Sequence, residues 1–448
     1  MNTGSIGRSM NRMITQLRNP DQMMPAYNST YPKGGVSCSK DSLVVNQTLV
    51  FQIKVCGKSP ALRVAAKPLA ASKEIKSNYM KQNLKYTLFL TIIVSSIAFK
   101  LSAQSNINFQ TDLDSQITEN IPGVLVTVIC KEKQIDWSGA SGYTDKENKI
   151  KLLPNQTFRM ASVTKTFVSS TILRLWEDKK LKLEDPIIKY ISKEHSEILI
   201  KGGYAPEKIT ILHLLTHSSG MAEHTQTEKF KIEYLKTNHI WTRTEQLFEL
   251  ITHTKPVGKI GEQFSYSDTG YILLGEIIEK ITQKSLGEAI EELLNFKKLG
   301  LKSIHIEDKN GEFDTVRIHQ YYMDGEDTYF VNPTFDLYGG GGLLSSTHDL
   351  ALFYKYLFEN KVFRKKSTLK RMLTPINYSS KQALDYRMGI WETEIEGLKA
   401  YTHSGFWGTQ VIYIPNIKTV ITANYSQRWT NKGFAPIIPI IVKQLMKK

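Results

Sequence analysis

The chain has 448 residues, of which 41% are hydrophobic and 23% charged, a balance that supports a large packed core and excludes a fibrous or wholly disordered chain. Its formal net charge of +15 suggests an anionic partner until the charge is located, for residues 1–103 hold 14 Lys and Arg against 3 Asp and Glu, leaving 44 against 40 for the rest. A nucleic-acid partner requires a basic face on a folded domain, so this distribution argues against one.

Residues 1–79 show little sustained periodicity and many Ser, Asn, Gly and Lys, with one strand-like run at 42–55. A basic segment follows, Met80-Lys81-Gln82-Asn83-Leu84-Lys85, then an apolar, β-branched stretch over 86–99, then Leu101-Ser102-Ala103 ahead of Gln104. A basic start, an apolar core and a small residue at a cut make a secretory signal peptide. The core is shorter than the roughly 20 apolar residues of a membrane span. The expectation is a signal at 80–103, cleaved to leave a periplasmic or secreted protein with no stable membrane insertion; the alternative is an uncleaved N-terminal anchor. Because a signal belongs at the start of a chain, Met80 reads as the initiator and 1–79 as an unstructured or spurious upstream extension, with a basic transit peptide as the other reading. Cys38 and Cys56 precede the cut, which leaves Cys130 in a strand-like run, read as a small buried hydrophobe.

Residues 104–448 read as one domain. Apolar runs at 124–130 and 134–142, separated by Lys131-Glu132-Lys133, predict a hairpin. Next comes Arg159-Met160-Ala161-Ser162-Val163-Thr164-Lys165, opening a helical pattern over 162–177 with Phe167, Leu173 and Trp176 on one stripe. Residues i and i+3 share a helix face, so the Lys165 ammonium reaches the Ser162 hydroxyl. Serine needs an adjacent base to act as a nucleophile, and an amine serves only if it is held neutral or a neighbour relays the proton.

Further on, His217 and His224 lack metal-ligand spacing, and neither a metal nor another cofactor is expected. The loop Gly261-Glu262-Gln263-Phe264-Ser265-Tyr266-Ser267-Asp268 supplies a phenol and runs into a helix over 270–281. Gly339 to Gly342 lacks the Lys-Ser/Thr of a phosphate loop and reads as backbone turning. Ser346-Thr347-His348-Asp349 resembles a capping box opening a helix through about residue 358. His403-Ser404-Gly405-Phe406-Trp407-Gly408 precedes strands at 411–414 and 419–425 split by Pro415-Asn416, and 434–448 reads as a helix docked on the sheet. Strand-rich ends around a helix-rich middle predict an α/β (α+β) fold: one antiparallel sheet built from both chain ends, flanked by helices, with an inserted, mainly helical lobe.

Three ordered elements, Ser162-x-x-Lys165, Tyr266-Ser267-Asp268 and His403-Ser404-Gly405, resemble those of the penicillin-recognising serine hydrolases of the class C beta-lactamase type. That family includes carboxypeptidase, D-aminopeptidase and esterase relatives. Ile121-Pro122-Gly123-Val124, the stretch from Thr210 through His217 to Met221, and Gly340-Gly341-Gly342-Leu343 are similar to further landmarks of it. The resemblance implies a beta-lactamase/transpeptidase-like fold and acyl transfer to a small-molecule or peptide substrate. It makes Ser162 the nucleophile, Lys165 and Tyr266 a coupled base, the Ser162 and Phe406 N–H groups the oxyanion hole, and Asp268, His403, Ser404 and Gly405 substrate-binding. Which of Lys165 and Tyr266 is deprotonated at rest stays open. Many relatives have Asn where this chain has Asp268, and beta-lactamases of this class have Lys where it has His403, so a peptidase or esterase is expected over an efficient beta-lactamase. Lysine is a standing positive charge for a substrate carboxylate, whereas histidine is only partly charged near neutrality; if His403⁺ binds such a carboxylate, activity on those substrates should decline as pH rises through its pKa. A non-hydrolytic penicillin-binding sensor or scaffold is the competing class.

Overall fold

The computed structural model describes residues 108–447 other than 235–238, 308–316, 323–324, 379–384 and 429–432, together with two short strands upstream. The chain divides into two compact units, Met1–Ala103 and Gln104–Lys448. In the first, Ser42–Val44 pairs antiparallel with Val50–Gln52, within the strand-like run at 42–55. The expected signal at 80–103 lies outside the described residues.

The second unit opens with α1 (Phe109–Asp114) and the hairpin of β1 (Gly123–Cys130) and β2 (Ile135–Asp145), followed by β3 (Ile150–Lys151) and β4 (Phe158–Arg159). All of β1 is buried. Val124, Val126, Val128 and Cys130 join one apolar cluster, and Leu125 and Ile129 another, because alternate side chains enter opposite faces and both faces are covered. Cys130 is thus the buried hydrophobe expected of it.

The middle of the chain is helical: α2 (Thr164–Glu177), α3 (Lys193–Lys201), α4 (Ile211–Leu215), α5 (Glu228–Tyr234), α6 (Arg243–His253), α7 (Asp268–Thr282), α8 (Leu286–Leu293) and α9 (Phe296–Leu299). β5 (His305–Ile306), β6 (Leu343–Ser345), α10 (Thr347–Phe358) and α11 (Lys366–Met372) lead back to the sheet. There β7 (Asp385–Tyr386), β8 (Trp391–Ile395), β9 (Leu398–Gly405), β10 (Thr409–Ile414) and β11 (Thr419–Tyr425) precede α12 (Ile437–Met446).

The main sheet runs β3-β2-β1-β11-β10-β9-β8-β7, and the pairing that joins the two chain ends puts Val124 opposite Tyr425 and Cys130 opposite Thr419. A smaller sheet, β4-β6-β5, ties Phe158 to Ser345. α12 covers the outer face with Ile437, Ile438, Ile441 and Val442, all fully buried beside Phe109 and Leu113 of α1; each such side chain contributes roughly 1.5–3 kcal/mol. On the inner face Phe167 of α2 stacks on Phe353 of α10 at 3.9 Å. Among the described residues no helix is long and apolar enough to cross a membrane.

Two local details depart from the sequence pattern. The helix expected from Ser162 begins at Thr164, and Ala161–Val163 form a 3-10 turn instead. At α10 the Ser346 hydroxyl accepts from the Asp349 N–H at 3.2 Å. The reciprocal arm is missing because the short Asp349 carboxylate takes the Lys302 and Ser303 N–H groups, each at 2.7 Å. The Ser346 N–H goes to the Ser303 hydroxyl at 3.1 Å, so the cap closes through a tertiary contact.

Candidate active site

The turn carrying Ser162 is braced from below. Arg159, the last residue of β4, grips buried Glu307 with two bonds of 2.7 and 3.0 Å, and Arg317 reaches the same carboxylate at 3.2 Å. The Met160 N–H donates to the Leu343 carbonyl at 3.0 Å, and Ala161 then takes φ +47°, a left-handed conformation uncommon for a residue with a Cβ. The 3-10 turn that follows eclipses positions i and i+3. Lys165 Nζ therefore lies 3.0 Å from Ser162 Oγ.

Lys165 is completely buried. Its ammonium donates to Ser162 Oγ, to the Gly340 carbonyl at 2.6 Å and to the Asp268 carboxylate, which occupies all three of its hydrogens. Burial opposes the charge, but Asp268, and Tyr266 after it, outweigh burial and raise the lysine above its ordinary value. Tyr266 lies beside Lys165, whose Nζ is 5.0 Å from its ring centroid; burial pushes its phenol up, and although Lys165 pulls it down the net direction is upward. At rest the pair is therefore an ammonium and a neutral phenol.

The loop holding Tyr266 hangs on the 216–221 segment. The Gly261 N–H donates to the Ser218 carbonyl and the Ser265 N–H to the His217 carbonyl, both at 2.7 Å. His217 Nδ1 accepts from the Ser267 N–H at 3.1 Å, and its ring lies 4.3 Å from that of Tyr266. His224 is engaged as well, donating from Nε2 to Gln246 at 3.3 Å and accepting the Thr269 hydroxyl at Nδ1 at 2.9 Å.

β9 brings the third motif alongside. A Cβ on Gly405 would lie 2.0 Å from the Met160 carbonyl oxygen, so the close approach this glycine permits is of the strand to the nucleophile turn. His403 is buried; Nδ1–H donates to the Ser404 carbonyl at 2.9 Å, leaving Nε2 to accept the Tyr386 hydroxyl at 3.3 Å. Burial first, then the charge of Lys165, push the imidazole down to about 3. The expectation of a partly charged histidine is corrected accordingly: His403 is neutral at physiological pH.

Ser162, Tyr266, Asp268, His403, Ser404, Gly405 and Phe406 all line one cavity of about 370 Å³. Lys165 lies beneath it. Among the described residues the Ser162 and Phe406 N–H groups have no protein acceptor. Two carboxyl groups in the same cavity escaped the sequence reading, Glu223 and Asp336. Glu223 accepts the Asp268 N–H at 2.8 Å and the Thr225 N–H at 3.0 Å; burial, then the Asp268 charge, push it up to about 8. The same two causes push Asp336 up to about 7. Their one sequence signal was adjacency: Glu223 lies just beyond the 210–221 landmark and Asp336 just before Gly339.

Residues 108–443 match the family model described as Beta-lactamase. Protein flp of Staphylococcus aureus (strain MW2) is 28% identical over 241 residues, covering 53% of this chain and 45% of that protein, so the chain spans about half the length of the curated relatives it matches first. Among solved structures, the octameric penicillin-binding protein homologue from Pyrococcus abyssi is 26% identical with a TM-score of 0.62, over 75% of this chain and 77% of that one. A D-stereospecific amidohydrolase from Streptomyces sp. also has a TM-score of 0.62, at 22% identity, over 72% of this chain and 94% of that one, a likeness of fold.

Proposed function

The chain belongs to the beta-lactamase family, and on that premise we propose that it is a serine hydrolase that opens amides or esters through an acyl-enzyme on Ser162. The observation that carries this reading is the 3.0 Å contact of Ser162 Oγ with the Lys165 ammonium at the floor of a cavity. Once the coupled Lys165–Tyr266 pair has given up one proton to solvent, Ser162 Oγ attacks the substrate carbonyl carbon and its own proton passes to that pair. The oxyanion sits between the Ser162 and Phe406 N–H groups, which have no other acceptor among the described residues. Collapse expels the amine or alcohol, which takes a proton from Tyr266. Water then attacks the ester with the same pair as base, releasing the acid and restoring the hydroxyl.

Substrates of this reading are D-amino peptides and small esters, with beta-lactams handled less efficiently. An ionised Asp268 only accepts hydrogen bonds, where an amide would also donate. The neutral His403 offers no standing cation to the carboxylate of a beta-lactam. The name of the Streptomyces amidohydrolase is compatible with this class of substrate. We further propose that the protein acts outside the cytoplasm, after cleavage ahead of Gln104.

The test is covalent labelling by a fluorophosphonate, read as a mass increase, beside turnover of p-nitrophenyl acetate. Ser162→Ala should fold, take no label and lose about 10⁴-fold or more in turnover. Wild-type turnover in that variant would refute the nucleophile. Labelling of the native protein without turnover would move it to the non-hydrolytic sensors.

A further inference from the structure

The Ser162 and Phe406 N–H groups belong to different segments, and among the described residues no backbone–backbone hydrogen bond joins 159–163 to 403–408. Gly405 lets the two segments touch, but a contact of that kind does not fix their spacing. A third segment does so through hydrogen bonds. The completely buried side-chain amide of Gln320 accepts the Arg159 N–H at Oε1 at 2.8 Å, and its Nε2 donates to the Arg159 carbonyl at 3.2 Å and to the Trp407 carbonyl at 2.8 Å. One N–H that needs an acceptor and two carbonyls that need donors match the whole capacity of a primary amide in one orientation. Arg159 lies three residues before Ser162, and Trp407 directly follows Phe406. A second route backs the first: Asn424 Nδ2 donates to the Trp407 carbonyl at 3.2 Å and to Thr409 Oγ1 at 2.9 Å, and Thr409 Oγ1 donates to the Arg159 carbonyl at 3.4 Å. Gln320 is itself held in place, because its carbonyl accepts the Thr328 N–H at 3.0 Å while the Thr328 carbonyl accepts Arg159 Nη1 at 3.1 Å. Buried hydrogen bonds of this kind resist stretching, since an unmade bond away from water costs the full desolvation of its groups.

Resting on the serine-hydrolase reading above, we propose that Gln320 is a positioning residue for the reaction, one that sets the distance between the Ser162 and Phe406 N–H groups. It does not line the cavity and so acts through those two groups without touching substrate. Donors spaced for the oxyanion favour the tetrahedral intermediate over the flat ground-state carbonyl, so a change in their spacing slows the chemical step and leaves ground-state binding alone. No other side chain replaces this amide. Glutamate keeps the acceptor for the Arg159 N–H but sets a carboxylate against two carbonyl oxygens, and methionine fills the volume with no strong donor or acceptor.

The experiment follows labelling of the full chain by a fluorophosphonate, resolved into a reversible binding constant and the rate of the covalent step. In that step the Ser162 Oγ–P bond forms, fluoride leaves, the serine proton passes to the Lys165–Tyr266 pair, and the phosphoryl oxygen takes the oxyanion's place. In Gln320→Glu and Gln320→Met, measured well below their thermal midpoints, the covalent step should slow by about 10- to 100-fold while the binding constant stays within about threefold of native. The pH midpoint of labelling should not move, because Lys165, Asp268 and Tyr266 are untouched. A purely structural role would lower the thermal midpoint and leave the covalent rate of the folded variants native; that result would overturn the proposal and leave the hydrolase reading intact. Should neither variant fold, a crystal structure of the native adduct decides: the phosphoryl oxygen between the two N–H groups with Gln320 still bonded to Arg159 and Trp407 is expected, and loss of the Gln320–Trp407 bond would overturn the proposal. A native protein that takes no label and turns over no ester would instead refute the hydrolase reading, and this inference with it.

Discussion

The three hydrogens of the Lys165 ammonium meet three acceptors, and one of those, Asp268, is what keeps the lysine charged. The same carboxylate also pushes Tyr266 up. Replacing it with an amide removes a raising influence from both members of the base, while burial of Lys165 continues to press its value down. In Asp268→Asn the base therefore loses its proton at lower pH, and the acid limb of kcat/KM for a neutral ester should move down by about one pH unit or more. An unmoved or upward-shifted limb would show that Asp268 does not control the base. Ser162 and Lys165 were legible because short spacing within a motif survives in one dimension, and Tyr266 through the resemblance of its own loop to a family motif. The charge states were not, since they depend on burial and on Asp268 and Lys165 meeting across 103 residues.

At the scale of elements, two contacts hold the nucleophile turn in place. Gly405→Ala would set a Cβ against the Met160 carbonyl and push β9 away from the turn. A misplacement of about 1 Å at such a site costs about 10²-fold in kcat/KM; the variant should show that loss with a smaller change in thermal midpoint, and unaltered kcat/KM would mean the strand and turn are not mechanically linked. The second contact is Glu307, which is 4% exposed between Arg159 and Arg317. Glu307→Ala leaves two guanidinium groups without their carboxylate in a dry interior, a loss of about 3–5 kcal/mol, measurable as a lower denaturant midpoint. Midpoints within error of the native protein would refute that assignment. The 162–177 stripe and the Ser346 cap announced their helices, but not the 3-10 turn at Ala161–Val163 nor the detour of the Ser346 N–H to Ser303. Both details are imposed from outside the helix, by the Leu343 carbonyl and by the chain at 302–303.

For the molecule as a whole, the unit Gln104–Lys448 has its own two-sided core, so a chain starting at Gln104 should fold cooperatively and turn over p-nitrophenyl acetate at the rate of the full chain. N-terminal sequencing of exported protein should read from Gln104 or close to it; a chain found intact from Met1 in the cytoplasm would refute the export reading. The sequence by itself determined the class of fold, because strand-rich ends around a helical middle leave an antiparallel sheet closed between the ends, and the register of Val124 opposite Tyr425 bears this out. It also pointed to the proposed reacting groups, Ser162 and Lys165 through their local spacing and Tyr266 through a separate motif. Only the tertiary structure decided the electrostatics: that His403 is neutral, that Lys165 is locked to Asp268, and that Glu223 and Asp336 share one cavity with Ser162. The physical reason is that a charge state is set by burial and by neighbours within a few ångströms, and those neighbours come from segments that meet only when the chain has folded.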